Sequence, residues 1–262
     1  MLQLVRSSDG VKIAIERSGA GSPVLLIHGT TSDRARWAPV MKAFEAQHSV
    51  YAMDRRGRGD SGDNEPYRMA QEFDDVGAAI DAIGGKIDVV AHSYGAICAL
   101  EAATRTQNIR KLVLYEPPIT VPGVTEAEAP QLEIMRQHLA TDDRKAVLET
   151  FYLQVLRVSP EEWESVQKMP NWRARLQAAH TIPREFSSTR GYVFEAERFR
   201  GVAVPTLLML GGESLPRHQA AIALLNQTLS QSQVCVLAGQ QHNAINTAPR
   251  LFESEALRFL AG

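Results

Sequence analysis

Hydrophobic and polar positions along the 262-residue chain follow two rhythms, and the switches between them outline a fold. Residues 3–6 and 11–17 alternate with period two about Ser7-Ser8-Asp9-Gly10, which carries hairpin-turn chemistry. Continuous apolar runs follow at 23–27, 50–53, 87–91, 111–115, 205–210 and 234–237, short enough to be buried strands. Between them the spacing lengthens to that of helices. Trp37, Val40, Met41 and Phe44 follow a capping Ser32 or Asp33, and further helices are predicted near 69–83, 95–103, 217–229 and 249–260. Strands alternating with helices predict an α/β fold, a mostly parallel sheet covered by helices on both faces.

The alternation breaks between residues 120 and 200, where no strand-like run of useful length occurs. Helices are predicted there at 126–139, 142–158, 159–168 and 171–180. The third opens on Ser159-Pro160-Glu161-Glu162, with serine at the N-cap, proline at the first helical position and glutamate at the third. Some eighty helical residues inserted after the sixth strand predict a lid on the sheet. The expected division is a core of residues 1–119 and 201–262 and a helical cap of 120–200.

Composition narrows this only modestly. At 44% hydrophobic and 22% charged residues, the chain suits one large α/β domain or two small ones. It is long enough to bury a core without disulfide staples. A formal net charge of −2 favours neither nucleic acid nor an anionic membrane as partner. No apolar stretch is long enough to span a bilayer, and Met1-Leu-Gln-Leu-Val-Arg6 lacks the pattern of a secretory leader. Cys98 and Cys235 fall on a predicted inner helix and a strand and read as buried small hydrophobes. The expectation is a cytoplasmic protein of open oligomeric state, acting on a small molecule.

The candidate chemistry sits where the run 87–91 meets the helix predicted from Gly95. Ser93 lies between them, with small residues two before (Ala91) and two after (Gly95). A sharp strand-to-helix turn needs small neighbours, lifts the serine oxygen above the sheet, and aims the next amide, that of Tyr94, at an oxyanion on a substrate. The competing reading is an ordinary helix N-cap. A second motif, Gly57-Arg-Gly59-Asp-Ser-Gly62, matches a dinucleotide fingerprint but follows several strands instead of the first, and Asn64-Glu-Pro66 interrupts before any helix. Arg55, Arg56 and Arg58 alternate there with Asp54, Asp60 and Asp63, which predicts local ion pairs in a structured loop. No histidine or cysteine cluster has metal-ligand spacing, and no cofactor is indicated.

Four landmarks occur in the order His28-Gly29-Thr30, Asp54-Arg-Arg-Gly57-Arg-Gly59-Asp-Ser61-Gly62, Ala91-His-Ser93-Tyr-Gly95 and His242 after the last strand. In that order and spacing, over essentially the whole chain, they resemble the α/β-hydrolases with a helical cap, in an esterase- or lactonase-like branch. The resemblance implies Ser93 as nucleophile, His242 as the base that takes its proton, and the backbone amides of Thr30 and Tyr94 as an oxyanion hole. His28 and His92 adjoin motifs as structural residues, and His48, His138, His180 and His218 have no motif support. The acid departs from the common pattern. Three residues past Gly211 stands Ser214, which has no charge to offer an imidazolium. Two carboxylates remain: Glu116, at the strand end from which certain haloalkane dehalogenases draw their acid, and Glu213, one residue early.

With serine as nucleophile, the resemblance implies hydrolysis of an ester, lactone or thioester of a small, mainly apolar substrate through an acyl-enzyme. Carbon–carbon bond hydrolysis, cofactor-free haloperoxidase chemistry and a hydrolase-like small-molecule receptor with little turnover use the same residues. Of the aromatic and sulfur residues in the predicted cap, Phe151, Tyr152, Trp163, Met169, Trp172 and Phe186, most are expected to pack the cap on itself and a few to face the cleft.

Overall fold

A computed structural model of the chain describes residues 1–124 and 130–262. Eight strands form one sheet: β1 (Leu2–Arg6), β2 (Lys12–Gly19), β3 (Ser22–Ile27), β4 (His48–Met53), β5 (Ile87–His92), β6 (Ile109–Tyr115), β7 (Thr206–Gly211) and β8 (Ser232–Leu237). Their spatial order is β1-β2-β4-β3-β5-β6-β7-β8. The hairpin β1–β2 and the β2–β4 pair are antiparallel, and the remaining pairs are parallel.

The apolar runs make central strands because both their faces are covered. Ile27, Val89 and Ala91 join a core with α2 (Met69–Ile83), α3 (Tyr94–Ala102) and α10 (Pro216–Thr228). Their neighbours Leu26 and Val90 point the other way, onto Trp37, α1 (Met41–Glu45), α11 (Ala244–Thr247) and α12 (Pro249–Ala261). This two-sided burial explains why the strands read as continuous apolar stretches and not as alternating ones. The segment around Trp37 starts as a single 3₁₀ turn, Arg34–Trp37, whose N-cap is Asp33: its carboxylate accepts the Ala35 amide.

The insertion after β6 is helical: α4 (Pro130–Ala140), α5 (Arg144–Glu149), α6 (Pro160–Gln167), α7 (Trp172–Gln177), α8 (Thr181–Gly191) and α9 (Ala196–Phe199). The expected helix over 126–139 begins in residues 126–129, which lie outside the described residues. Two differences from expectation concern this region. The helix predicted over 142–158 changes after α5 into a π-helical segment, Thr150–Leu156, closed by Arg157 in the left-handed conformation. Helix α8 was not foreseen. Its Pro183 sits in the first turn, where a backbone N–H has no intrahelical acceptor to lose. The insertion has its own core of Met135, Val147, Leu148, Phe151, Trp163 and Ile182 with their neighbours. No helix among the described residues is long and apolar enough to cross a membrane. Cys98 is buried as expected, whereas Cys235 is only half-buried, on the edge strand β8, where its thiol donates to Glu255.

Candidate active site

The parallel register decides where the site forms. His92 pairs with Tyr115 and Tyr115 with Met209, so β5, β6 and β7 end side by side. The residues that follow, Ser93, Glu116 and the loop after Gly211, therefore share one edge of the sheet. Open α/β sheets bind their ligands at this edge.

Ser93 occupies the N-cap position of α3 with φ 54° and ψ −125°, yet its hydroxyl makes no capping hydrogen bond. A strained backbone at a non-glycine residue persists only where its surroundings enforce it. Here they do. A Cβ on Gly29 would lie 2.8 Å from the Ser93 Cβ, and one on Gly95 would strike the His28 carbonyl. Glu116 and Thr31 likewise have positive φ (46° and 65°), so the site is ringed by enforced conformations.

The loop bearing His242 is tied down from β5 and β6. The Tyr115 hydroxyl donates to the Gln241 carbonyl and accepts the Ala244 amide, while His92 Nε2–H donates to the His242 carbonyl at 2.9 Å. His242 thereby reaches both neighbours. Its Nδ1–H donates to Glu116 Oε2 at 2.6 Å, which leaves Nε2 to accept the Ser93 hydroxyl at 3.0 Å. Ser93 is 9% exposed, the His242 side chain 14% and Glu116 not at all.

Of the two candidate acids, the structure brings Glu116 to His242. Glu213 is exposed, and its amide donates to the Gln240 carbonyl. Ser214 has a different place: its hydroxyl donates to Glu116 Oε1 at 2.5 Å, beside the Gly211 amide at 2.7 Å. The β7 loop thus supplies hydrogen bonds to a carboxylate delivered by β6. Burial pushes the Glu116 carboxyl up, but the hydrogen bond and charge of His242, with His218 and Ser214, more than offset it and hold it at about 2.

His218, which had no motif to announce it, belongs to this site. Its ring stacks on His242 with centroids 4.8 Å apart and an interplanar angle of 26°, and its Nδ1 lies 3.7 Å from Glu116 Oε2. Burial, then the neighbouring His242, lower it to about 3, so it is neutral at ordinary pH. The ligand atoms of Glu116, His218 and His242 lie within 4.8 Å of one another. They do not suit a metal ion, because two near-parallel stacked rings direct their in-plane lone pairs side by side and Glu116 already engages His242 Nδ1.

Thr30 and Tyr94, the residues expected to offer amides, flank Ser93: Thr30 lines the same cavity, and Tyr94 opens α3. Arg55 braces both. Its amide donates to His28 Nε2, its guanidinium lies 4.4 Å from the Tyr94 ring centroid, and it pairs with Glu72 (2.7 Å) and with Glu185 of α8 (2.7 Å). Arg58 also pairs with Glu185, and Arg56 with Asp75 and Asp9. The arginines of this loop are therefore paired, as expected, but with distant partners: Asp54 and Asp60 pair with Arg34, and Asp63 with Arg184. Gly57, Gly59 and Gly62 close a tight loop with no helix behind it, unlike a nucleotide-binding turn.

A cavity of about 280 Å³ opens on Ser93 and His242; Ile119, Phe151, Leu156, Phe186 and Leu215 give it apolar walls, with Arg157, Arg190 and Arg217 also lining it. Phe151 and Phe186 are thus the insertion aromatics that face this cavity, while Trp163, Met169 and Trp172 pack within the insertion.

This fold, with a hydrogen-bonded Ser–His–Glu at the carboxyl edge of its sheet, defines a class of hydrolases. Residues 24–254 match the model of the alpha/beta hydrolase family, and the chain belongs to that family. An alpha/beta hydrolase from Sphaerobacter thermophilus is 33% identical, with a TM-score of 0.86 over 98% of this chain and all of that one. A putative carbamate hydrolase, RutD, of Azorhizobium caulinodans is 24% identical over 93% of each chain. The esterase RhEst1 from Rhodococcus is 22% identical and shares the fold, with a TM-score of 0.80 over all of this chain and 98% of that one.

Proposed function

We propose that the protein hydrolyses an ester, lactone or thioester of a small, mainly apolar molecule through an acyl-enzyme on Ser93. The observation that carries this reading is the continuous chain Ser93 Oγ–His242–Glu116, at 3.0 and 2.6 Å, opening onto an apolar cavity. His242 Nε2 takes the serine proton as Oγ attacks the carbonyl carbon, and returns it to the leaving alkoxide. Glu116 holds the imidazole in the tautomer that accepts at Nε2 and stabilises the transient imidazolium. The amides of Thr30 and Tyr94 receive the developing oxyanion; one such donor contributes roughly 2.7–4 kcal/mol to the transition state in other hydrolases. Water then repeats the sequence on the acyl-enzyme.

In this reading residues 1–119 and 201–262 form the catalytic core, and 120–200 form a cap that shapes the substrate cavity. Two free cysteines are consistent with a reducing, cytoplasmic setting. The test combines a fluorophosphonate probe with turnover of p-nitrophenyl acetate. Labelling at Ser93, absent in Ser93→Ala, together with multiple turnovers, supports the enzyme. Labelling at Ser93 without turnover points to a ligand-binding receptor, and labelling elsewhere removes Ser93 as nucleophile.

A further inference from the structure

A second cavity, of about 40 Å³, also opens on Ser93 and His242 and shares Thr30, Phe151 and Leu156 with the larger one. Both have arginines among their walls, Arg157, Arg190 and Arg217 in the larger, but the smaller has few apolar residues. Arg36, Arg175, Thr31 and Ser32 line it, with Glu162 as the acid among its walls.

Arg36 is the unusual group here. It stands in the turn Arg34–Trp37, anchored by the fully buried Trp37, and is itself only 6% exposed. The other buried arginines all have partners. Arg55, Arg56 and Arg58 are in ion pairs, and Arg175 donates to the Thr31 carbonyl at 2.9 Å and the Tyr152 hydroxyl at 2.7 Å. Among the described residues, no hydrogen bond, ion pair or ring contact reaches the Arg36 guanidinium. Glu162 is engaged elsewhere, accepting Asn243 Nδ2 at 2.6 Å. Burial, then the charge of Arg175, lower Arg36 to about 10, which still leaves it cationic at neutral pH.

The Arg36 guanidinium is shielded from bulk solvent but open to the small cavity, and a largely desolvated charge left unpaired is destabilising. Such a group is retained where a ligand supplies the missing anion. The small cavity has room for roughly three water-sized atoms, enough for one carboxylate and too small for a ring; the unpaired guanidinium favours the carboxylate over an alkyl group of equal size. The planar fork of arginine matches a carboxylate with two parallel N–H···O bonds.

We infer that this cavity is a carboxylate subsite. The substrate then places its apolar body in the large cavity, its scissile carbonyl at Ser93, and a carboxylate of its own on Arg36. This rests on the hydrolase reading above and narrows it to anionic esters, lactones or thioesters.

The test compares ethyl hydrogen succinate and ethyl hydrogen glutarate with neutral ethyl butyrate, reading ethanol release, and adds calorimetric titration of succinate into Ser93→Ala. In the native enzyme, kcat/KM for one of the half-esters is expected to exceed that for ethyl butyrate at least tenfold. The ratio should fall to one or below in Arg36→Met. Succinate should bind Ser93→Ala and lose that binding when Arg36→Met is added. If Arg36→Met does not fold, Arg36→Lys, which keeps the charge but loses the fork, should lower the ratio severalfold. Turnover of ethyl butyrate with no preference for either half-ester overturns the subsite and leaves the hydrolase standing. An unchanged ratio in a folded Arg36→Met, or succinate binding that ignores Arg36, also overturns it. No turnover of any ester, with succinate binding that depends on Arg36, overturns the hydrolase reading and leaves the subsite standing.

Discussion

The carboxyl edge of the sheet and the helical insertion above it contribute to the site in different ways. The edge supplies the proposed reacting groups on short tethers: Ser93, Glu116 and His242 each follow a strand, and Ser93 and Glu116 are held in positive-φ conformations. The insertion supplies walls and clamps. Phe151 and Phe186 face the apolar cavity, Arg175 grips Thr31, and Glu185 binds Arg55 and Arg58 beneath the His28-Gly29-Thr30 turn. In the proposed reading the edge determines what reaction is possible, and the insertion determines what reaches it and how firmly the loops around it are held. Substitutions should separate the two regions by the quantity they change.

The largest effect is expected at the edge. Ser93→Ala or His242→Ala should lower kcat on the order of 10⁴-fold or more while leaving thermal stability nearly unchanged, because each acts as part of one unit. A matching loss of stability would mean that these residues hold the fold together. In the insertion the expectation is reversed. Glu185→Leu leaves the buried Arg58 without a carboxylate and takes one of the two from Arg55, which keeps Glu72, and should cost about 3–5 kcal/mol in urea unfolding. Burial pushes the Glu185 carboxyl up, but Arg55, Arg58 and the Thr30 hydroxyl more than offset this and hold it below its ordinary value. A change within a few tenths of a kcal/mol would show that the cap does not depend on this clamp.

A smaller effect belongs to His218, where the two regions meet. Its folded pKa of about 3 lies below the ordinary 6.5, so folding favours the neutral ring. The unfolded chain binds the extra proton first. The contribution of His218 is therefore fully present above pH 6.5 and is lost as the pH falls towards 3, by up to about 1.4 kcal/mol per pH unit. His218→Phe, which keeps a ring against His242, should lose less stability than the native protein between pH 6 and pH 4. Equal slopes in denaturant titrations would remove His218 from the acid response. The smallest kinetic change is expected for Phe151→Ala, which enlarges the cavity and should raise KM for apolar esters severalfold with kcat little altered, although the loss of a core ring also lowers stability.

Much of the edge was legible in the sequence because it depends on local pattern. The run 87–91, the small residues around Ser93 and the histidine after the last strand are each a short signal, and the parallel register places them together. Glu116 and Glu213 stayed as alternatives because the choice depends on which strand end faces the imidazole, and that is set by pairing across 126 residues. Ser214 read as a missing acid, when its hydroxyl donates to the Glu116 carboxylate delivered by β6. The insertion was less legible. The π-helical turn at 150–156 is too short for its period to be told from 3.6, and Pro183 obscured α8. With α8 went Glu185, whose partners Arg55 and Arg58 lie 130 and 127 residues away. Nothing local marks His218 either, since its role comes from the packing of α10 on β7.

The central claim is that the sheet edge forms a working Ser–His–Glu relay with the acid on β6. It is tested most directly by the kcat of Glu116→Gln and Glu213→Gln, measured side by side on one ester. In a serine protease the equivalent acid-to-amide change lowers kcat about 10⁴-fold, which sets the scale. Glu116→Gln should lose several orders of magnitude in kcat with KM little changed, and Glu213→Gln should stay within about twofold of the native enzyme. A native-like kcat in Glu116→Gln would contradict the account, and a collapse confined to Glu213→Gln would move the acid to the β7 loop.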